Sequence, residues 1–587
     1  MNNNSSKSYI LLACTIAFIP IFCIFGIKFL FFQFCALALL ILNLKNNKII
    51  NLIKEDKSIK VFYLSILSFM LCNIIAIIIN PLGFEKREFF SSFYHLSYWI
   101  SGIILAIFFA SNDETNINNL KLIKKSIFIL SIFQVMVFLL SIIEWNFGDI
   151  WNQKHGIIYN LFPILKDNKF FSEVTSINLS YVDWVGDSYK YRFNGFYMYP
   201  ATAGITTLYL LCYCSDFKLL KNKITEYILA IILVVMIYLT RSRMVYLSII
   251  LGIFSTTFIL FINKKSRKYI FTISTLLLAI LIIFILSFDI IDKVILSRVE
   301  SSIDRFSVYS YSLATAFKFP LFGVGDKFSV DDMYLLIGSH STYINVLVKS
   351  GFLGLLFILI AFGTVFVRIF ENKKSIGCIK SKRLWFISTF LFITTIIWMC
   401  TEEIDWPSIT AFFFFMNIGV IFSFKKIVKK INTEAYKDMK ICFVTSSGGH
   451  LTHLMQFKEW WIHKERFWVT FKKIDAESAL KGEKIYWCYY PTNRNIKNLI
   501  RNLFLSIKVI YKERPEIIIS TGAAAAIPFF YIAKFFGAKL IYIEVYDRID
   551  LPTVTGKIVY PITDEFIIQW EEQKKYYKDS KFLGGLF

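Results

Sequence analysis

Lys440-Ile-Cys-Phe-Val-Thr-Ser-Ser-Gly-Gly-His450 decides how this chain is read. An apolar run short enough for one buried strand ends in a glycine turn, and a helix start follows. Free backbone N–H groups at such a turn attract anions, so strand, turn and helix together make a phosphate-binding geometry. Everything upstream has a different character. The 587 residues are 56% hydrophobic, with a mean hydropathy of +0.56, and the apolar residues gather in blocks long enough to cross hydrocarbon. The chain therefore reads as a membrane bundle followed by an α/β module.

Working back from the turn, the apolar blocks predict about 12 spans. They lie near residues 8–26, 28–44, 61–80, 93–110, 126–144, 197–215, 225–240, 243–262, 269–288, 347–369, 384–401 and 407–424. With that count, six basic clusters fall on one side: Lys45 to Lys60, Lys121 to Lys125, Lys218 to Lys223, Lys264 to Lys268, Arg368 to Arg383 and Lys425 to Lys430. Basic loops mark the cytoplasm, so that side and both termini are expected there. Two long segments, 145–196 and 289–346, are then outer loops. The net charge of +23 follows from topology and contact with anionic membrane lipids, and no basic face of the kind nucleic acid requires is present. None of the ten cysteines lies in an outer loop, which argues against structural disulfides, and none has a metal-ligand spacing.

Working forward, residues 431–438 read as a linker and 439–587 as one Rossmann-like domain. Strands are predicted at 440–445, 466–470, 516–520, 539–544 and 565–569, with helices near 450–460, 495–513 and 523–535. Short apolar strands alternating with helices imply a parallel, doubly wound sheet. Ser520-Thr-Gly-Ala-Ala524 makes a second strand-to-helix turn, expected at the same carboxyl edge as Ser446-Ser-Gly-Gly-His450. The helix at 495–513 carries Leu499, Leu503, Phe504, Ile507 and Ile510 beside Lys497, Arg501, Lys508, Lys512 and Arg514. It either packs on the core with a solvated basic face or lies on an anionic leaflet.

Arginines mark the outer side of the membrane part. Arg192-Phe-Asn-Gly195 closes the first outer segment and Thr240-Arg-Ser-Arg243 forms an outer turn. Positive charge there opposes the orientation bias, and the arginine fork suits phosphate oxygens, so converging arginines would hold a diphosphate. Snorkelling, or pairing with Glu402, Glu403 or Asp405, is the structural alternative. The spans are poor in internal charge, which argues against ion-coupled transport.

Arg305-Phe-Ser-Val-Tyr309, Phe319-Pro-Leu-Phe-Gly-Val-Gly325, Ser339-His-Ser-Thr-Tyr343 and Gly351-Phe-Leu-Gly354 follow one another in the second outer segment and the span after it. With Arg192-x-x-Gly and Ser242-Arg243, this string resembles the O-antigen ligase and Wzy polymerase superfamily over roughly residues 1–425, a GT-C-like bundle. Ser341 stands where that pattern has asparagine, and Ile344 near its leucine. The resemblance implies glycosyl transfer on the outer face, from a polyprenyl-diphosphate-linked oligosaccharide to a second glycan, without cofactor, nucleotide sugar or metal. His340 would be the base, since imidazole titrates near neutrality. Arg192, Arg243 and Arg305 would stabilise the departing diphosphate.

Downstream, Gly448-Gly-His-Leu451, Ser520-Thr-Gly-Ala523, Ile541-Tyr-Ile-Glu544, Thr555-Gly-Lys557, Tyr560-Pro561 and Gln569-Trp570 form a series similar to the membrane-anchoring subunit of the eukaryotic dolichol-linked N-acetylglucosamine transferase and its bacterial exopolysaccharide counterparts. This resemblance implies the acceptor-binding half of a GT-B glycosyltransferase, inactive until a small UDP-sugar-binding subunit joins it. Gly448, Gly449, His450, Thr521 and Gly522 would hold a lipid diphosphate, with Glu544 as a further candidate. The expectation for the whole chain is a multi-pass protein of the bacterial inner membrane, assembling O-antigen, capsule or exopolysaccharide as a polymerase of lipid-linked repeats. A ligase acting on a lipid core or protein is the alternative, followed by a lipid-linked oligosaccharide flippase.

Overall fold

The computed structural model describes residues 3–25, 30–43, 47–84, 89–111, 117–147, 154–155, 176–177, 180–185, 188–195, 197, 199–214, 223–261, 299–330, 336–377, 379–405, 409–437, 439–492, 495–536 and 538–585. These form two compact units, Met1–Lys374 with Trp385–Lys425 and Ser375–Leu384 with Lys426–Phe587.

In the first unit, seven helices among the described residues are long and apolar enough to cross a membrane: Lys7–Phe25, Lys57–Ile79, Ser91–Ser111, Leu122–Ile143, Arg243–Leu260, Thr342–Lys373 and Ile409–Lys429. The described residues therefore do not confirm the expected count of about 12. Phe31–Asn43, Pro200–Cys214 and Lys223–Leu239 stand at three further expected spans but contain 13, 15 and 17 residues. At 1.5 Å per residue each is shorter than the ~30 Å hydrocarbon core. Ile379–Trp398 stands at another expected span, and the span expected at 269–288 lies outside the described residues.

Burial orders the bundle. Ile409–Lys429 is 89% buried and Arg243–Leu260 only 28%, so the former is central while the latter shows most of its apolar surface outward. Around the central helix, Phe412 packs edge-on against Phe32 at 5.6 Å and Phe415 against Trp99 at 5.8 Å. A Cβ at Gly102 would stand 2.4 Å from the Phe415 ring, so this helix pair needs glycine to approach so closely.

The expected outer loops contain ordered elements. Ser180–Val185 and Ser188–Phe193 form an antiparallel pair that carries Arg192, while residues 156–175 lie outside the described set. Within 289–346 a helix, Val299–Lys318, replaces loop. Its buried positions Val308, Ser312 and Ala316 recur every four residues, but the serine and alanine hide that stripe from a hydropathy reading.

Thr342–Lys373 breaks at Gly351, where φ is 66°. The break leaves the carbonyls of Val348 and Lys349 free to accept from the N–H groups of Val324 (2.8 Å) and Gly325 (3.1 Å), and Phe352 N–H donates to Pro320 O at 2.8 Å. A Cβ at Gly351 would lie 2.4 Å from Leu321 O, and one at Gly323 2.3 Å from Val348 O. Pro320-Leu-Phe-Gly-Val-Gly325 is thus a wedge that enters the helix break and satisfies its backbone groups.

In the second unit the strands are β1 (Ile441–Val444), β2 (Arg466–Phe471), β3 (Ile485–Cys488), β4 (Ile517–Ser520), β5 (Lys539–Ile543), β6 (Glu565–Ile568) and β7 (Lys581–Phe582). They form one sheet in the order β3-β2-β1-β4-β5-β6-β7, with every pairing parallel. The helices are α1 (Gly449–Met455), α2 (Lys458–Trp461), α3 (Ile474–Ala479), α4 (Ile496–Glu513), α5 (Ala526–Phe535) and α6 (Val554–Val559). Alternate strand residues serve opposite faces. Cys442, Val444, Phe467 and Val469 join α4 and α5 residues in one core, while Ile441, Phe443 and Trp468 join Leu451, Leu454 and Trp461 in the other.

The sequence pattern did not reveal β3, α3, α6 or β7, whose periodic signals are only two to six residues long. The linker expected at 431–438 is helical as far as Lys437, as part of Ile409–Lys437. Its residues include no glycine or proline to stop the helix. The second unit accordingly begins at Lys426 rather than 439, and it also includes Ser375–Leu384.

Candidate functional site

Strand order in the α/β unit reverses between β1 and β4, which pair directly. In such sheets the crevice at that switch point, beyond the carboxyl ends of the strands, is the ligand position. Both turns singled out in the sequence leave from these two strands. Gly448 caps α1 with φ at 78°, and Gly522 has φ at 129°. His450 Nδ1 lies 2.9 Å from Thr521 O, and Thr521 Oγ1 donates to His450 O at 2.7 Å. A Cβ at Gly522 would reach 2.6 Å from His450 Cε1. Gly448, Gly449, His450, Thr521 and Gly522 therefore form one locked edge, with open space at Gly448 and Gly449. The Gly448 N–H donates to Asp475 Oδ2 at 2.6 Å, so a carboxylate already occupies one donor suited to an anion.

Glu544 follows the carboxyl end of the neighbouring β5, with its side chain turned into the unit. It is completely buried, and its carboxylate accepts from Thr553 Oγ1 at 2.9 Å and Tyr577 O–H at 2.7 Å. Burial, then the Glu544 charge, pushes the Tyr577 phenol upward. Glu544 is a structural tie between the end of β5, the start of α6 and the C-terminal segment.

In the membrane unit the three predicted arginines converge electrostatically: Arg192 and Arg305 both act on Arg243. Arg192 reaches the Arg243 turn directly, with Nε donating to Thr240 O at 2.9 Å. Arg305 Nη2 stands 3.9 Å from Glu402 Oε1. The pairing weighed as a structural alternative is thus present at one arginine, and its geometry is loose.

His340 sits nearby on backbone at φ 63°. Its N–H donates to Glu403 Oε1 at 3.0 Å and its carbonyl accepts from Tyr309 O–H at 2.8 Å. Lys327 anchors the same Glu403 at 2.5 Å. Burial, then the charges of Arg305 and Lys327, pushes the His340 imidazole down to about 4. Ser341, in place of asparagine, caps Thr342–Lys373 by accepting from Ile344 N–H at 3.4 Å.

The turn between Ile379–Trp398 and Ile409–Lys437 supplies residues that sequence reasoning named only as ion-pair partners. Burial pushes Glu402 up to about 7 against the opposing charge of Arg305, and Glu403 adds to the rise. Asp405 accepts from Asn345 Nδ2 at 3.1 Å, and its carbonyl lies 2.7 Å from His95 Nδ1. Lys349 Nζ stands 3.5 Å from Asp326 Oδ1. Asn73, His95, Asn345, Lys349 and Asp405 line a small buried cavity. The available signal was an acidic run, Glu402-Glu403-Ile-Asp405, beside an apolar block. Among the described residues no group of His, Cys, Asp or Glu is arranged to hold a metal ion.

Two family models match this chain. Residues 228–359 match the family described as O-Antigen ligase, a stretch containing Arg243, Arg305, the glycine wedge and His340. Residues 441–586 match the family described as oligosaccharide biosynthesis protein Alg14 like, which contains the whole switch-point edge. The UDP-N-acetylglucosamine transferase subunit ALG14 of Homo sapiens is 20% identical over 191 residues, covering 27% of this chain and 88% of that protein. The protein of the same name from Debaryomyces hansenii is 33% identical over 156 residues, covering 24% of this chain and 63% of that one. In Candida albicans its namesake is 25% identical over 182 residues, 27% of this chain and 83% of that one. A crystal structure of Acinetobacter baumannii MurG aligns with 23% of this chain and 42% of its own at 12% identity, with a TM-score of 0.20. The chain thus joins a membrane segment of the O-antigen ligase type to an Alg14-like α/β domain.

Proposed function

We propose that the membrane unit transfers a glycan from a polyprenyl diphosphate to an acceptor hydroxyl, as a polymerase of lipid-linked repeat units in bacterial surface polysaccharide assembly. The carrying observation is that Arg192 Nε bonds to Thr240 O in the turn that bears Arg243, while Arg305 Nη2 stands 3.9 Å from Glu402 Oε1 and the adjacent Glu403 holds the His340 N–H. Three arginine forks suit a diphosphate that gains charge as it leaves. Glu402 takes the acceptor proton: the acceptor oxygen bonds to the anomeric carbon, the bond from that carbon to the diphosphate oxygen breaks, and the diphosphate departs with the electron pair. A base titrating near 7 suits this step. His340, at about 4, is neutral but weakly basic and serves as a hydrogen-bonding partner for the sugar. A ligase differs only in its acceptor, a lipid core or protein.

In the same reading the α/β unit offers the Gly448–His450 and Thr521–Gly522 edge to a lipid-diphosphate acceptor and recruits a small UDP-sugar-binding subunit. The matched relatives, each named as a transferase subunit, support this division of labour. The Gly448 N–H, already bound to a carboxylate, would exchange Asp475 for a phosphate oxygen.

Replacing Arg243 by alanine in the producing host tests the reading. Long glycan should collapse to the single lipid-linked repeat, whereas unchanged long chains would refute the membrane-unit mechanism. Loss of the single repeat as well would assign the defect to the step served by the α/β unit.

A further inference from the structure

Ser341-Thr-Tyr-Ile-Asn-Val-Leu-Val-Lys349 opens the apolar helix Thr342–Lys373. Its polar residues Thr342, Asn345 and Lys349 stand three and then four positions apart, so at about 100° per residue they share one helix face. All three are buried, Thr342 completely. Polar groups inside an apolar bundle are costly unless they find partners. Here the stripe meets the acidic turn Glu402-Glu403-Ile-Asp405 and, through Lys349, Asp326.

Thr342 grips that turn with both its backbone and its hydroxyl. Its N–H, one of the orphan donors of a helix start, lies 2.9 Å from Met399 O and 3.1 Å from Glu402 O. The Oγ1 hydroxyl donates to Glu402 O at 2.8 Å and accepts from Ile404 N–H at 2.9 Å. One helical turn on, Asn345 Nδ2 donates to Asp405 Oδ1 at 3.1 Å and to Glu403 Oε2 at 3.4 Å. The Glu402 carboxylate itself stands 3.9 Å from Arg305 Nη2, too far for a hydrogen bond. Where that carboxylate is aimed therefore depends on the backbone from which it projects.

We propose that Thr342 is a positioning residue for glycan transfer: its hydroxyl fixes the Glu402 backbone so that the carboxylate meets the acceptor hydroxyl, while Asn345 holds the far end of the same turn. The inference rests on Glu402 as the proton acceptor in the function proposed above. Thr342 lies two residues beyond His340, so a single helix start sets both groups.

The test is a double-mutant cycle on the purified full-length chain, with a polyprenyl-diphosphate-linked oligosaccharide as substrate. Thr342→Val keeps the branched shape and removes the hydroxyl; it should lower kcat about tenfold or more with KM within about twofold of wild type, because a small misplacement of a reacting group is felt in the transition state. Thr342→Ser, which keeps the hydroxyl, should hold kcat within about threefold of wild type. In a Glu402→Gln background, Thr342→Val should change kcat by less than about twofold, since nothing is left to position. Wild-type kcat in Thr342→Val, equal losses in Thr342→Val and Thr342→Ser, or the same fold-loss in both backgrounds would overturn the proposal. Should Thr342→Val not fold, Asn345→Ala, at the edge of the buried cavity, runs the same cycle with the same expected outcome. Glu402→Gln at the wild-type rate would refute the base assignment and this inference with it, whereas a slow Glu402→Gln with the same fold-loss in both backgrounds refutes the positioning role alone.

Discussion

At the scale of single residues, Glu402 and His340 make opposite demands on pH. If Glu402 is the proton acceptor, kcat/KM should rise with pH through about 7, because the carboxylate must be ionised to act. A His340 base would place that rise near 4. Glu402→Gln should abolish the limb and reduce kcat by about 100-fold or more, and a steady-state pH profile checks both. In the α/β unit, Gly522→Ala should push His450 out of its pocket and break the Thr521 pairing, at about 1–3 kcal/mol. Hydrogen exchange at the two turns would show it, and unchanged protection would contradict the close approach. The glycine–histidine turn and the three arginines were legible because glycine at a strand end and cations on the wrong side of a membrane are local anomalies. Glu402 was legible only as an ion-pair partner, since its altered basicity arises from burial that no local pattern records. The partners of Glu544 were not legible either, because Thr553 and Tyr577 arrive from later in the chain.

At the scale of elements, the glycine wedge and the helix break depend on one another. Gly351→Ala would place a methyl group against Leu321 O and strain a left-handed backbone, displacing the segment that leads to Asp326, Lys327 and His340. Activity should fall with little change in helical content, which circular dichroism and turnover together would establish. The α/β sheet has its own tie in Glu513. Burial opposes its ionisation most strongly, yet hydrogen bonds from Lys440, Lys484 and Tyr486 hold it down to about 2. Because that value is depressed, the contribution is present above about 4.5 and lost as pH falls toward 2. Glu513→Ala should cost about 1–3 kcal/mol through the lost hydrogen bonds from Lys440, Lys484 and Tyr486, read as earlier urea unfolding of this unit. Strands β1, β2, β4, β5 and β6 could be anticipated because each is a concentrated apolar run. Those of two to four residues beside charged turns, β3 and β7, could not. The helix Val299–Lys318 was hidden because serine hydroxyls can return to their own backbone, as Ser312 Oγ does to Val308 O at 2.6 Å, allowing small polar residues to occupy a buried face.

At the scale of the whole molecule, the proposed function gives the two units one kind of ligand. The membrane unit gathers cations at the ends of otherwise apolar helices, and the α/β unit gathers backbone donors at a sheet switch point. Both are means of holding a diphosphate. The two-part division was visible in the sequence as a change from apolar blocks to alternating short elements. The unit boundary was not, because helix Ile409–Lys437 runs through it without a break. In the proposed function the arginine-lined site releases polyprenyl diphosphate as it transfers glycan. The most direct measurement is mass-spectrometric detection of free polyprenyl diphosphate and extended glycan after the purified full-length chain is incubated with a polyprenyl-diphosphate-linked oligosaccharide. Wild type should release one polyprenyl diphosphate for each repeat added to the glycan, and Arg243→Ala or Arg305→Ala should slow both at least about 100-fold; equal rates in wild type and both variants would refute that role.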